Sequence, residues 1–212
     1  MKNDAFKLNF DCCLAEMENN LNYNPHVLFH EYKRFYESEC FLEALGILKY
    51  LLNKGFPSAE FEMGQHYYYG SEKLVVSQDY LKAFHCFSAA AENGHAEALY
   101  YQGQMLLYGT GVVLDINQGL SSLNIAAIEG VNKAIDRLGK IYHYGYCDIS
   151  PDNRKAEYYY RTAVNNGYPP SMFNLALLLE NQYRFEEAYE LIIQSAIRGY
   201  MDAVNYSMST YK

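Results

Sequence analysis

Residues 79–94 read Asp79-Tyr-Leu-Lys-Ala-Phe-His-Cys-Phe-Ser-Ala-Ala-Ala-Glu-Asn-Gly94 and carry the start and stop signals of one α-helix. The Asp79 carboxylate can accept hydrogen bonds from the first free backbone N–H groups of a helix. Gly94 can adopt the left-handed conformation that commonly ends one. The stretch between them therefore predicts a helix of about four turns.

These signals recur along the chain at intervals of similar length, and the last interval is the shortest. With Gly94 as position zero, the equivalent glycines are Gly55, Gly94, Gly130, Gly167 and Gly199. Position −15 is an Asp in three units: Asp79, Asp115 and Asp152. Position +9 is a Gly in three units: Gly64, Gly103 and Gly139. Position +15 is again a Gly: Gly70, Gly109 and Gly145. The interval indicates a repeated pair of helices.

The small residues inside the predicted helices point to close packing. Gly in a helix costs about 1 kcal/mol relative to Ala, so its recurrence at position +9 predicts a packing constraint that outweighs helix propensity. No segment alternates as a strand would. We therefore predict an all-α fold, a right-handed α-α superhelix built as a solenoid of antiparallel helix pairs, in which each zero-position Gly ends a helix.

The combined pattern resembles the Sel-1-like repeat, a relative of the tetratricopeptide repeat with a longer loop between its helices. The segments 59–94 and 98–130 match best, and 134–167 matches with a divergent loop. The resemblance covers roughly residues 40–207. The last unit, 171–199, lacks the long loop and is closer to the tetratricopeptide form.

The two ends are predicted to differ from the repeats. We assign residues 1–38 to N-terminal capping helices and 39–212 to the repeat solenoid, the two forming one continuous domain. Apolar residues at 4-3-4-4 spacing predict a helix near the start: Phe6, Phe10, Cys13, Met17 and Leu21. The last predicted helix, 200–211, has an apolar outer face. Either this helix associates with another surface, self-association included, or its side chains fold back onto the preceding pair.

Composition narrows the classes of function and location. The net charge is −8 with a pI near 5.2, which disfavours nucleic-acid and anionic-membrane partners. Residues 58–130 carry eight acids and two bases, a charge that favours a protein partner with a basic surface unless it only solvates helix faces. No secretory signal or membrane-spanning run is visible, and the five cysteines are irregularly spaced. We expect free thiols and a cytoplasmic location.

Catalytic and metal-binding patterns are weak. His26 and His30 lie at i, i+4, but no third zinc ligand has plausible spacing. His85 and Cys86 are neighbours on a helix, where their side chains point apart. Gly109-Thr-Gly-Val lacks the Lys-Ser/Thr of a phosphate loop. We predict no enzyme activity, no metal and no cofactor.

The predicted binding surface, here called the stripe, is one face of the first helix of each unit, at positions +3, +7, +10 and +14. Tyr and Arg in this stripe are common anchors of protein interfaces. Packing under the following loop is the alternative for the tyrosines, and a solvated face is the alternative for the charged residues. The predicted partner-binding residues are Glu62, Gln65, Tyr69, Glu97, Tyr101, Gln104, Tyr108, Lys133, Arg137, Lys140 and Tyr144.

The resemblance implies a non-catalytic module that binds a protein partner in its concave groove, because Sel-1-like repeats act as adaptors that assemble protein complexes. Two narrower alternatives are a bacterial immunity protein that occludes a cognate toxin and an effector that binds a host protein. A cysteine-rich secreted branch of the family is associated with β-lactam hydrolysis. That branch carries paired cysteines within each repeat, and this chain has no such pairs.

Overall fold

The computed structural model describes residues 24–210, and every regular element in this range is a helix. Two isolated bridges, Ser71 with Val76 and Tyr146 with Ile149, close loops within this range, and no strand forms there. The all-α prediction is confirmed. The helices between residues 24 and 210 are α1 Pro25–Glu37, α2 Phe41–Asn53, α3 Pro57–Tyr69, α4 Tyr80–Glu92, α5 Ala96–Tyr108, α6 Ile116–Ile128, α7 Asn132–Tyr144, α8 Asn153–Asn165, α9 Pro169–Asn181, α10 Phe185–Ile197 and α11 Met201–Thr210.

The described chain divides into two compact units. The first comprises residues 24–98 with 109–113, and the second comprises 99–108 with 114–210. Within the first unit α1 packs on α2 and α3 on α4; within the second, α7 packs on α8 and α9 on α10, with α11 against α10. Each unit is thus a series of packed neighbouring helices with one apolar seam per pair.

The helix ends follow the predicted signals. The Asp79 Oδ1 accepts a hydrogen bond from the Lys82 N–H at 3.0 Å, and the same cap recurs at Asp115 and Asp152. Gly94 has φ +86°, and its N–H and that of the next residue bond back to carbonyls of the last turn of α4. The other four zero-position glycines repeat this geometry. A Cβ on Gly94 would meet no atom within 4 Å, so this Gly serves the backbone conformation alone.

The glycines at position +9 are needed for a different reason, which is the space that a side chain would occupy. A Cβ on Gly64 would lie 2.7 Å from the Phe87 ring. On Gly103 it would lie 2.9 Å from the carbonyl of Gly119, and on Gly139 it would lie 2.5 Å from the Tyr160 ring. Each of these contacts joins the two helices of one repeat. The predicted packing constraint at +9 is confirmed.

Short connections distinguish the first and last complete helix pairs. Residues 38–40 link α1 to α2, and 182–184 link α9 to α10, each through a left-handed residue that is not Gly: Glu39 at φ 62° and Tyr183 at φ 61°. Arg184 stands where the three middle pairs have the capping Asp, and in the first pair Cys40 takes this position. The Arg184 guanidinium instead reaches Glu157, at 2.9 Å, and Glu187.

The outer face of α11 is only partly covered. The Tyr206 hydroxyl donates to the Glu180 carboxylate at 2.7 Å, and its ring packs edge-on against Phe173. Met201 and Met208 stay exposed. The predicted helix of Phe6 to Leu21, and Tyr211, lie outside the described residues. The domain boundary at residue 38 stays a prediction, although α1 shares its apolar core with α2.

The two classes of glycine predict two different responses to Ala. Gly139→Ala should lower the free energy of unfolding by about 1–3 kcal/mol, because overpacking against Tyr160 outweighs the gain in helix propensity. The loss should shrink when Tyr160 is replaced by Leu. Gly130→Ala, in open space at φ +84°, should be strained in either background. Urea denaturation of the two glycine variants, each with and without the Tyr160→Leu change, measures these free energies of unfolding. An equal cost of Gly139→Ala with and without the Tyr160 ring would contradict the packing account.

Candidate functional site

In the first unit the stripe residues of α3 line a cleft. Glu62, Gln65 and Tyr69 face α1 across a space of about 400 Å³ that Lys33 and His66 also border. The Lys33 Nζ lies 4.0 Å from the Glu62 carboxylate. Burial raises the pKa of Glu62, and the Lys33 ammonium partly opposes the rise. The cleft combines a half-buried carboxylate with aromatic walls.

The side chains of the stripe differ in exposure and in the contacts that they make. Tyr69 and Tyr144 are each 63% exposed, and Tyr144 stacks on the ring of His143 at 4.1 Å. Glu97 is exposed in the first turn of α5. The Gln104 Nε2 donates to the Tyr100 hydroxyl at 2.6 Å. Exposure and contact thus occur together here, because the exposed rings of Tyr69 and Tyr144 each pack against a neighbouring ring.

In the second unit, cations of α7 lie over tyrosine rings of α5. The Lys133 Nζ is 5.9 Å from the ring centre of Tyr101, and the Arg137 guanidinium is 5.0 Å from that of Tyr108. Both distances fall within the range of cation–π attraction. Tyr101 is only 7% exposed, whereas Tyr108 is 47% exposed. We call these four residues the cation–tyrosine ladder.

Tyr108 is held in place by the loop after α7. The Tyr146 ring packs edge-on against Tyr108 at 5.7 Å, and its hydroxyl donates to the Leu107 carbonyl. Tyr108 therefore has Arg137 and Tyr146 as neighbours and still keeps nearly half of its surface open. The loop that contacts Tyr108 is that of the next repeat and not the one that follows its own helix.

Lys140 belongs to a buried polar network that sequence analysis missed. Its Nζ lies 2.9 Å from the carboxylate of Asp136, which is buried. The Ser171 hydroxyl and the Asn174 amide, both buried on α9, donate to the same carboxylate at 2.6 and 2.7 Å. Three donors thus compensate one buried charge. The sequence signal was an Asp on α7 with a Lys four residues later.

Among the described residues, the other reactive side chains do not converge. His26 and His30 lie on α1, and no group of three His, Cys, Asp or Glu residues between 24 and 210 could hold a metal ion. Cys40, Cys86 and Cys147 are free thiols, and burial raises the pKa of Cys86 to about 11. Cys12 and Cys13 lie outside the described range. No helix between residues 24 and 210 is long and apolar enough to cross a membrane.

The repeated helix pairs are matched by a known family. The Sel1 repeat model matches residues 57–95, 96–127 and 132–168, just over half of the chain. The chain belongs to the Sel1 repeat family. The resemblance inferred from the spacing of Asp and Gly is therefore confirmed.

Similar proteins come from fungi and bacteria. Chitin synthase regulatory factor 3 from Schizosaccharomyces pombe is 31% identical over 156 residues, which cover 69% of this chain but 16% of that protein. The structure of a Sel1 repeat protein from Oxalobacter formigenes has a TM-score of 0.79 at 23% identity, covering 89% of this chain and 77% of that one. The immunity protein Pa5087 from Pseudomonas aeruginosa has a TM-score of 0.59 at 18% identity, covering 88% and 72%. These two structures show the shared fold.

The Asp136 network predicts a large effect on stability. Asp136→Ala should lower the free energy of unfolding by about 3 kcal/mol, because Ser171 and Asn174 would be left as buried donors without an acceptor. Asp148→Ala, at an exposed loop position, is the matched control and should change it by less than about 0.5 kcal/mol. Chemical denaturation compares the two. Equal effects would mean that the network contributes little to stability.

The thiols should differ in reactivity in the folded protein. At pH 8, iodoacetamide should modify the exposed Cys147 at least about tenfold faster than Cys86, because only the thiolate reacts and burial disfavours it at Cys86. Peptide mass spectrometry after timed quenching resolves the five sites. In denaturant the two rates should converge. A native disulfide among the five cysteines would contradict the prediction of free thiols.

Proposed function

We propose that this Sel1 repeat chain is a non-catalytic protein–protein interaction module that binds a protein partner along the stripe. The cation–tyrosine ladder carries the proposal. Tyrosine and arginine combine a large apolar area with polar tips, and such residues dominate the energetics of protein interfaces. Glu62, Gln65 and Tyr69 of the first unit occupy the same positions of their repeat and would contribute contacts of their own.

The curated relative supports a regulatory version of this role. The matching S. pombe protein is named a chitin synthase regulatory factor, and this chain spans 16% of its length. A repeat segment of that size within a regulator is consistent with an adaptor that brings one protein to another. We accordingly propose that the chain acts by holding a protein rather than by transforming a substrate.

The immunity-protein and effector hypotheses remain narrower alternatives to this adaptor role, and a cytoplasmic location remains part of the proposal. They differ in the partner: a toxin for an immunity protein, a host protein for an effector, and a cellular enzyme or scaffold for a regulator. Affinity purification from the source cell, followed by mass spectrometry, separates these three outcomes.

Alanine variants of the ladder test the proposed surface. Tyr108→Ala and Arg137→Ala should each weaken binding of the purified partner by about 2 kcal/mol, roughly thirtyfold, because truncated interface anchors lose large contact areas. Glu97→Ala should change the affinity less, and mainly at low salt, because rim charges act on association rate. Calorimetric titration at two salt concentrations measures both effects.

Melting curves provide the control for these variants. Each variant should retain its helical circular dichroism, and affinity should be compared per folded molecule. If Tyr108→Ala lowers the melting temperature sharply while that affinity is unchanged, the cation–tyrosine ladder stabilises the fold and does not bind the partner. The binding surface would then lie on another face of the repeats or on α11.

A further inference from the structure

Arg137 is a partly buried cation without an acidic partner among residues 24–210. Its Nε is buried and has no hydrogen-bond acceptor in that range. Burial lowers the pKa of Arg137, and the ionisable groups around it are the tyrosines Tyr100, Tyr146 and Tyr160. The guanidinium has therefore given up part of its hydration without gaining a counter-charge, which is unfavourable for a charged group.

Other cations of the same unit show how this cost is normally met. Arg161, which is also partly buried, donates to the carboxylates of Glu157 and Glu187 at 2.8 and 2.7 Å. Lys140, one turn along α7 from Arg137, pairs with Asp136. Arg137 differs from both because a tyrosine ring takes the place of the carboxylate.

Lys133 lies one turn before Arg137 on the same face of α7, and it also lacks an acidic partner among the described residues. Both cations lie against α5 rings, which fixes their positions without neutralising them. The cation–tyrosine ladder thus presents two positive charges, on Lys133 and Arg137, beside the exposed part of the Tyr108 ring.

We infer that Arg137, assisted by Lys133, receives an Asp or Glu side chain of the partner, with the apolar part of that segment lying on Tyr108. This inference rests on the proposed function and names the partner's chemistry at one point of the stripe. A carboxylate can accept two parallel hydrogen bonds from a guanidinium, a geometry that favours arginine at such sites. A polyanion such as nucleic acid is disfavoured, because the chain carries a net charge of −8.

A peptide selection tests the inference directly on this chain. Random twelve-residue peptides displayed on phage would be selected on the full chain and counter-selected on the Tyr108→Ala variant, which isolates ligands of the ladder. Selected peptides would be synthesised with acetylated N-termini and amidated C-termini, so that only side-chain carboxylates remain. Fluorescence anisotropy would give their Kd values.

The expected result is a ligand set enriched in Asp and Glu. Arg137→Gln should raise the Kd about tenfold or more, as should replacement of the key acidic residue by its amide. The two changes together should cost little more than either alone, because both remove the same contact. Arg154→Gln, which removes an exposed arginine of α8, is the matched control and should leave the Kd within about twofold.

Two other outcomes would overturn the inference and are distinguishable. Ladder-dependent peptides that lack acidic residues, or that bind the Arg137→Gln variant equally well, would refute the acidic contact but leave the proposed binding surface intact. A selection that yields no peptide dependent on Tyr108 would count against both the acidic contact and the proposed binding surface. Thermal melting of the Arg137→Gln variant must match that of the unmodified chain within a few degrees, and Arg137→Lys provides a charge-retaining second variant with an intermediate loss.

Discussion

In the three repeats that carry a glycine at +9, the contact between that glycine and the second helix of the same repeat determines how the two helices pack. Gly64 meets Phe87, and Gly139 meets Tyr160, at distances that leave no room for a methyl group. The missing Cβ lets the two helices approach until a whole ring fills the gap, so the pair buries a continuous apolar seam.

This contact also determines which face can carry function. One side of each first helix is committed to its partner through positions +4 and +9, and small residues are required there. The stripe lies beside that side and has no such size constraint, so Tyr, Lys, Arg and Glu can occupy it. Helix α7 has residues of both kinds. Asp136 and Lys140 belong to a buried network with α9, whereas Lys133 and Arg137 lie on rings of α5.

The sequence predicted the helices well because their signals are local. A capping Asp and a left-handed Gly act within one turn, and their register identified every repeat helix between Asp79 and Gly167. The Asp136 network was missed because its donors, Ser171 and Asn174, are distant in the sequence and become neighbours only when α7 and α9 pack. Likewise, the tyrosines of the ladder were identified from periodicity, but their pairing with particular cations depends on contacts between helices.

Charge illustrates the same limit. Residues 58–130 are strongly acidic, whereas 131–212 contain nine acids and nine bases. At physiological salt, exposed charges interact over only about 8 Å, so a bound side chain responds to the few groups around it rather than to the total. Around Arg137 those groups are tyrosines, and the nearest acid on its own helix, Asp136, is already occupied by three donors. An acidic protein can therefore present a cationic contact, because its acids are engaged elsewhere in the fold.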